Sequence, residues 1–306
     1  MVPLSNAKVL VTGGSGFLGN HVISKLIDLE AEVTALDNGP PNSMQVGAVL
    51  QKVNRVRADI TEPSQLAGIK GNFDYIIHLA AVAQPMHCEK DPKKAFDINV
   101  NGTYNVLKLA VKCNAKKVAF ASSAHVYGIS PKYVPTNEEH PLYAHDTYTV
   151  TKVMGENLCR LFYTSHNLGY IALRLFNGYG PGQSSDYFIS AKIIEAEKGL
   201  ITLRGSRITK DFVYVDDMVD AIVRASTSSY VGPINVGSGK QTSLNEVASY
   251  ISEKKGVDLK IVDDGITVNY MQSSVDRAKE ILDWSCKVNL QEGLDRTIAS
   301  FATHSH

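Results

Sequence analysis

An α/β fold built on a doubly wound parallel sheet, with a smaller α/β lobe interleaved on its carboxyl-terminal side, is what the sequence predicts. Three observations carry that expectation. Short β-branched runs alternate with longer amphipathic segments up to Phe176. Gly13, Gly16 and Gly19 lie three apart between the first such run and the first helix-like segment. After Asn177 the rhythm breaks into shorter pieces. Strands alternating with helices imply βαβ units, right-handed crossovers and a parallel sheet.

In chain order, Lys8 to Val11 reads as a strand and Phe17 to Leu29 as a helix. Glu32 to Leu36 is the next strand, followed by Arg55 to Ala58, Asp74 to Leu79, Lys117 to Ala121 and Ile171 to Leu175. Helices are expected over Pro92 to Cys113 and Tyr148 to Ser165. Turn-forming residues cluster at Asn38 to Ser43, Ser130 to His145 and Tyr179 to Ser185. The last two clusters follow strands, where an open α/β sheet binds its ligands. Beyond Asn177, strands are expected at Ile201 to Leu203, Asp211 to Val215 and Pro233 to Val236, with helices at Ser243 to Glu253 and Val275 to Leu282. The expected division is residues 1–176 with 211–236 as a ligand-binding sheet domain, and 177–210 with 237–306 as the smaller lobe.

Composition narrows the class of protein. At ~150 residues per domain, 306 residues suggest about two domains. Hydrophobic residues make up 44% and charged residues 20%, as in ordinary globular enzymes. The 31 basic and 31 acidic side chains balance, which argues against a nucleic-acid or membrane-surface binder. Cys88, Cys113, Cys159 and Cys286 have neither metal-ligand nor redox-motif spacing, so a reduced, intracellular, cytoplasmic protein without a metal is expected. Residues 1–8 lack a targeting pattern, and no apolar run reaches the ~18 residues of a membrane span. His304-Ser305-His306 reads as a frayed tail rather than a metal site.

The segment Thr12-Gly13-Gly14-Ser15-Gly16-Phe17-Leu18-Gly19 has a physical job for each spaced glycine. Gly13 allows a tight turn, Gly16 lets the backbone approach a pyrophosphate, and Gly19 lets the helix pack close to the strand. The helix N-terminus then offers free N–H groups and a positive dipole end. A lone glycine motif can also join a strand to a helix with no ligand. Here Asp37 closes the next strand. An acid at that place accepts hydrogen bonds from ribose hydroxyls and repels a 2′-phosphate. The pattern therefore predicts a Rossmann-type domain that binds NAD rather than NADP. Asp59 and Ile60 follow the third strand and could hold the adenine; Asp59 to Glu62 also has the look of a capping box.

Tyr148 and Lys152 are spaced i, i+4, which puts both on one face of a helix. Tyrosine is a poor base with its ordinary pKa of about 10. A nearby ammonium and a cationic nicotinamide would stabilise the phenolate and lower that value. Ser123, after the strand Lys117 to Ala121, could hydrogen-bond the same substrate oxygen. Such a Tyr–Lys pair is common on helices with no catalytic role; the preceding NAD loop is what gives it meaning.

With these residues in hand, the chain resembles the extended short-chain dehydrogenase/reductases of the nucleotide-sugar epimerase/dehydratase family. The motifs that carry the resemblance are TGGSGFLG (12–19), HLAA (78–81), NVNGT (99–103), SSAHVYG (122–128), YTVTK (148–152), LRLFNGYGPG (173–182), DFVYVDDMVDA (211–221) and INVGSG (234–239). They keep family order over nearly the whole chain. The resemblance implies that Phe17, Leu18, Asp37, Asn38, Asp59, Ile60, Leu79, Ala80, Ala81, Ala83 and Ser122 line NAD. It implies that Asn99 supports the cofactor site and Phe176 flanks the nicotinamide. Asn99 also reads as an ordinary helix polar group, and Phe176 as core. Ser123, Tyr148 and Lys152 would be the catalytic set, and Asn177 would contact the nucleotide-sugar phosphate. His78 reads as a buried structural histidine. A homodimer through the helices near 92–113 and 148–165 is implied as well.

The residues after Ser123 bear on the reaction. Family dehydratases carry an acid just after the catalytic Ser or Thr; here Ala124 and His125 stand there. Ala124 cannot transfer a proton and His125 can, so dehydration is weakened. The pattern is more similar to a sugar 4-epimerase, which would act on a UDP-sugar through a transient 4-keto intermediate. A 4-ketoreductase, a dehydratase or a decarboxylase on the same scaffold is the alternative, and a non-catalytic NAD-binding regulator is a third reading, opposed by the intact Ser123, Tyr148 and Lys152. The family arginine before DFVYVDD is Lys210 here, which keeps the charge but loses the bidentate fork. A second family arginine, expected near Asp264 to Thr267, is absent from the DDGIT stretch, so Arg204 or Arg207 is the expected substitute.

Overall fold

The computed structural model describes residues 4–39, 44–262, 265 and 270–302. The expected loop at 40–43, most of the DDGIT stretch and the His304-Ser305-His306 tail lie outside the described residues.

Through Leu175 the elements alternate. They run β1 (Lys8–Thr12), α1 (Phe17–Asp28), β2 (Glu32–Asp37), α2 (Met44–Leu50), β3 (Asn54–Arg57), α3 (Pro63–Ala67) and β4 (Tyr75–His78). Next come α4 (Pro85–Lys90), α5 (Pro92–Phe96), a π-helical segment Asp97–Gly102, α6 (Thr103–Lys112), β5 (Lys117–Ser123), a 3₁₀ turn Ala124–Tyr127, α7 (Thr147–His166) and β6 (Gly169–Leu175). The expected helix over Pro92 to Cys113 forms as one continuous helical run, Pro92 to Lys112, interrupted in winding by the π turn Asp97–Gly102. Its π turn carries Asn99, and such turns often sit at functional sites.

The remaining elements are β7 (Asn177–Tyr179), α8 (Phe188–Glu197), β8 (Leu200–Leu203), β9 (Thr209–Lys210), β10 (Phe212–Tyr214), α9 (Val215–Thr227), β11 (Gly232–Val236), β12 (Thr242–Ser243), α10 (Leu244–Lys255), β13 (Asp258–Ile261), α11 (Asp276–Leu282) and α12 (Leu290–Ala302). Sequence periodicity missed the helices α2, α3, α4, α8, α9 and α12 and the short strands β7, β9, β12 and β13. The omission of α9 has a clear cause: the β-like run before it ends at Tyr214, and Asp216 and Asp217 in the first helical turn masked the apolar face behind them.

Seven strands form one sheet in the order β11-β6-β5-β4-β1-β2-β3. Every pairing in it is parallel. Both faces are covered, so the central strands read as continuous apolar runs; β4 and β5 are buried at every position, while β3 at the edge is mostly exposed. Side chains alternate between two cores. Val9 and Val11 face Val22, Ile23 and Leu26 of α1 and the apolar stripe of α9. Leu10 faces the other way with Ile76 and Phe120, toward α6 and α7. The order reverses at β1, between β4 and β2, and ligands of such sheets sit at the carboxyl ends flanking that point.

A buried polar hub fastens α7 to this sheet. Glu156, one turn beyond Lys152, receives two hydrogen bonds from Arg174 of β6, at 3.0 and 2.8 Å. The Ser122 hydroxyl donates to the same carboxylate at 2.5 Å. Arg174 also donates to the Tyr127 hydroxyl at 3.0 Å, and Tyr127 in turn donates to Asn235 Oδ1 of β11 at 2.6 Å. Removing one partner of such a pair strands a desolvated charge, at a cost of about 3–5 kcal/mol. Glu156→Ala is therefore expected to lower unfolding stability by about that amount in chemical denaturation. A loss under about 1 kcal/mol, as for a surface pair, would refute the hub.

Candidate active site

The glycine turn is a tight backbone cradle. Gly13 has φ +71, and a Cβ there would lie 2.8 Å from the Ala80 nitrogen. A Cβ on Gly19 would lie 2.1 Å from the Gly13 carbonyl oxygen, so only glycine lets α1 start this close to the turn. A Cβ on Gly16 would meet the same oxygen at 3.3 Å. Asp37 ties the turn to the end of β2: Ser15 N–H donates to Oδ2 at 2.9 Å and Gly39 N–H to Oδ1 at 3.2 Å. Beyond it, Asn38 donates to Asp59 at 3.0 Å, and that bond chiefly holds the Asp59 carboxyl below the usual range. Asp59 Oδ1 also accepts from the Thr61 N–H and hydroxyl. The capping-box reading of Asp59 to Glu62 fails, because α3 starts at Pro63 with Glu62 at its N-cap. Ile60 turns its side chain into the core against Gly102, and its carbonyl accepts from Asn105 Nδ2 at 2.9 Å.

The HLAA segment is held from beneath. His78 is buried; its Nδ1 lies 2.7 Å from Thr12 Oγ1 and its Nε2 3.0 Å from Thr103 Oγ1. Thr103 donates to the Asn99 carbonyl, so it accepts from His78 Nε2–H, and Thr12 donates to Nδ1. Burial pushes the imidazole down to about 3, which keeps it neutral and structural, as the sequence suggests. Asn99 is a latch: Oδ1 accepts from Val82 N–H at 2.8 Å, and Nδ2 donates to the Val82 carbonyl at 3.1 Å and Thr151 Oγ1 at 3.0 Å. It joins the HLAA loop to the helix that carries Lys152.

Ser123, Tyr148 and Lys152 come together at the carboxyl end of β5. Asp146 caps α7 in a reciprocal box with Thr149, which sets the register that brings Tyr148 and Lys152 to the sheet. The Ser123 hydroxyl faces Tyr148 closely enough to favour the phenolate. Lys152 Nζ donates to the Ala121 carbonyl at 2.8 Å and lies 5.7 Å from the Tyr148 ring centroid. Burial lowers the Lys152 pKa to about 8. In the protein by itself burial drives the Tyr148 pKa above its ordinary value, opposed by the Ser123 hydroxyl; the lowering expected from the sequence belongs to the site with a cationic nicotinamide beside Lys152.

A cleft of about 430 Å³ opens in front of these groups. Gly13, Phe17, Leu18, Gly19, Leu79, Ala81, Ala83 and Ser122 line its cofactor side. Ser123, His125, Phe176, Asn177 and Lys210 line the rest, together with Gln183, Tyr187 and Met271, which sequence reasoning missed. Phe176 is both core and wall, at 6% exposure. Ala80 and Asn99 do not line the cleft, and Asp37, Asn38 and Asp59 lie outside it, at the ends of β2 and β3. His125 meets the Tyr148 ring edge to face at 6.1 Å between centroids. Burial, then the Lys210 charge, lowers its pKa to about 4. The structure does not bring Arg204 or Arg207, the expected substitutes for the missing arginines, to the cleft. Both are exposed and neither lines the cleft; Leu203 of β8 points inward, so strand alternation turns Arg204 out. A larger open groove of about 850 Å³ lies at the opposite, amino end of β1 to β3, remote from Tyr148.

Among the described residues no group of three or more His, Cys, Asp or Glu is gathered to hold a metal, and no helix is long and apolar enough to cross a membrane. The four cysteines are free.

Comparison with known proteins gives this site its class. The model of the NAD dependent epimerase/dehydratase family matches residues 9–237. The chain belongs to that family, and NAD is its cofactor. It is 32% identical over 306 residues to UDP-glucuronic acid decarboxylase 6 of Arabidopsis thaliana, covering 95% of this chain and 87% of that protein. It is also 32% identical to a putative UDP-glucose 4-epimerase of Methanocaldococcus jannaschii, over 95% of this chain and 97% of that one. In structure it is similar to the UDP-glucose 4-epimerase of Thermotoga maritima solved with UDP-glucose, with TM-score 0.90, 27% identity, and 97% and 99% of the two chains covered.

Because burial keeps the His125 ring neutral above about pH 4, its charge does not change near neutrality. His125→Gln should leave the shape of the pH–rate profile unaltered between about pH 5.5 and 8. An acid limb near pH 6 in the natural protein that vanishes in the variant would overturn this.

Proposed function

We propose that the protein is an NAD-dependent nucleotide-sugar 4-epimerase that acts on a UDP-sugar. The observation that carries this reading is local to the end of β5: Tyr148 stands beside Ser123, and no carboxylic acid follows that serine, although Asp186 and Tyr187 line the same cleft further out. Ala124 follows Ser123, and His125 is held neutral by burial. Eliminating water across the sugar ring needs an acid and a base; inverting one alcohol needs a group that takes and returns one proton.

The residues present fit the cofactor. The Gly13–Gly19 cradle leaves room for a pyrophosphate and for no side chain, Asp37 stands where a ribose would lie, and Lys152 faces the site from α7. Bound NAD supplies the reversible oxidation of the C4 alcohol to a ketone. The Tyr148 oxygen takes the 4-hydroxyl proton and later returns it. Ser123 orients that hydroxyl, and the Lys152 ammonium adds positive charge on the phenolate side. Residues 1–176 with 211–236 bind NAD in this reading, and 177–210 with 237–306 form the substrate lobe, where Asn177 and Lys210 face the nucleotide diphosphate. Decarboxylation of a UDP-uronic acid is the second reading, favoured by the 32% identity to the Arabidopsis decarboxylase.

Incubation with UDP-glucose, UDP-N-acetylglucosamine and UDP-glucuronic acid, followed by NMR and mass spectrometry, separates the two. An epimer of unchanged mass is expected; loss of CO₂ would establish the decarboxylase. Tyr148→Phe should retain NAD and lose turnover by about 10²–10⁴-fold. Near-natural activity in that variant would sink the mechanism.

The protein also fits a cytoplasmic homodimer. Met154 and Leu161 are exposed on one stripe of α7 beside half-buried Leu158, and Tyr104 and Phe96 are exposed on the neighbouring helices. Single exposed apolar residues are ordinary; a contiguous stripe on adjacent helices suits a self-complementary contact. Leu161→Arg should convert a dimer to a monomer in light scattering. A monomeric natural protein would refute the contact.

A further inference from the structure

Asp211 is fully buried and carries no partner cation among the described residues. Its carboxylate instead collects five donors. Oδ1 accepts from the Ser238 N–H and hydroxyl, both at 2.6 Å. Oδ2 accepts from Gly239 N–H at 3.1 Å, Ser273 N–H at 2.9 Å and the Ser273 hydroxyl at 2.6 Å. The packing is close: a Cβ on Gly237 would lie 2.1 Å from Ser273 Oγ and 2.9 Å from Asp211 Oδ2. The main chain of Asp211 joins a further segment, since its carbonyl accepts from Asn177 N–H at 3.0 Å and Asn177 Nδ2 at 3.1 Å.

Three of the four segments gathered here send a residue into the substrate end of the cleft; the Ser238–Gly239 segment does not. Lys210 precedes Asp211, Asn177 is held by its carbonyl, and Met271 lies two residues before Ser273; all three line the cleft. Met271 also sits 3.3 Å from Asn177 Nδ2. Among the described residues no hydrogen bond joins these segments to the glycine turn. A buried carboxylate satisfied only by N–H and O–H donors has narrow geometric freedom, because losing any one leaves a desolvated group unpaired.

We infer that Asp211 is the positioning residue of the nucleotide-sugar end of the site: it sets Asn177, Lys210 and Met271 against one another, separately from the cofactor end. This rests on the proposed nucleotide-sugar activity. Asp211→Asn keeps the size but points an NH₂ at N–H donors. With the full-length protein, KM for the UDP-sugar should rise about tenfold and UDP binding should weaken by a similar factor. NAD affinity should stay within about twofold and kcat within about threefold. An unchanged KM, or an NAD affinity that falls in step with KM, overturns the inference. Should that variant fail to fold, Ser273→Ala and Ser238→Ala each remove one hydroxyl and leave the backbone donors. A KM raised a few-fold with natural NAD affinity supports the inference, and unchanged KM in both overturns it. A natural protein that neither binds UDP nor turns over any nucleotide sugar overturns the functional reading itself, a result distinct from either.

Discussion

The catalytic geometry depends on the buried pair between Arg174 and Glu156. A parallel sheet presents its strand ends at one edge, but nothing in the backbone ladder fixes how a covering helix is rotated against that edge. Here the rotation of α7 is set by a carboxylate one turn past Lys152, gripped by a guanidinium on β6 and a hydroxyl on β5. Ser122 neighbours Ser123, so the bond that locks the helix also fixes the strand that bears the serine. Arg174 extends the lock to β11 through Tyr127 and Asn235. Four elements thus meet through groups that would be costly to leave unpaired.

The two ends of the site are built on different principles. At the cofactor end the contacts are backbone: glycines that exclude side chains, amide groups at a helix start, and an Asp37 carboxylate that folds the turn onto β2. At the reacting end, burial dominates. It keeps His78 and His125 neutral, brings Lys152 down to about 8 and pushes the Tyr148 phenol upward. The protein alone therefore holds Tyr148 as a phenol, and the positive charge that favours the phenolate must arrive with the cofactor. Farther along, among the described residues, Asp211 joins its neighbouring segments by hydrogen bonds without a salt bridge.

Much of this was legible in the chain because the signals are local. A strand, three glycines and a helix define a phosphate-facing turn within a dozen residues. Tyr148 and Lys152 share a face because of helical pitch. His78 was readable as structural from its place in an apolar strand. The failures were equally local in origin. The Asp59 to Glu62 spacing imitates a cap that the chain does not make, since α3 starts after Glu62. Arg204 had the right charge, yet the alternation of β8 turns it outward. Asp216 and Asp217 hid the helix α9 that covers one face of the sheet.

By itself the sequence determined the parallel α/β architecture, the cofactor turn, its preference for an unphosphorylated ribose, and the pairing of Tyr148 with Lys152, since each follows from residues close in the chain. Only the tertiary structure decided what depends on distant segments meeting. It joined Glu156 to Arg174 and Asn99 to Val82, brought Met271 beside Asn177, and gathered Ser238 and Ser273 around Asp211. It also decided the protonation tendencies, because burial is a property of the packed molecule that no stretch of sequence carries alone.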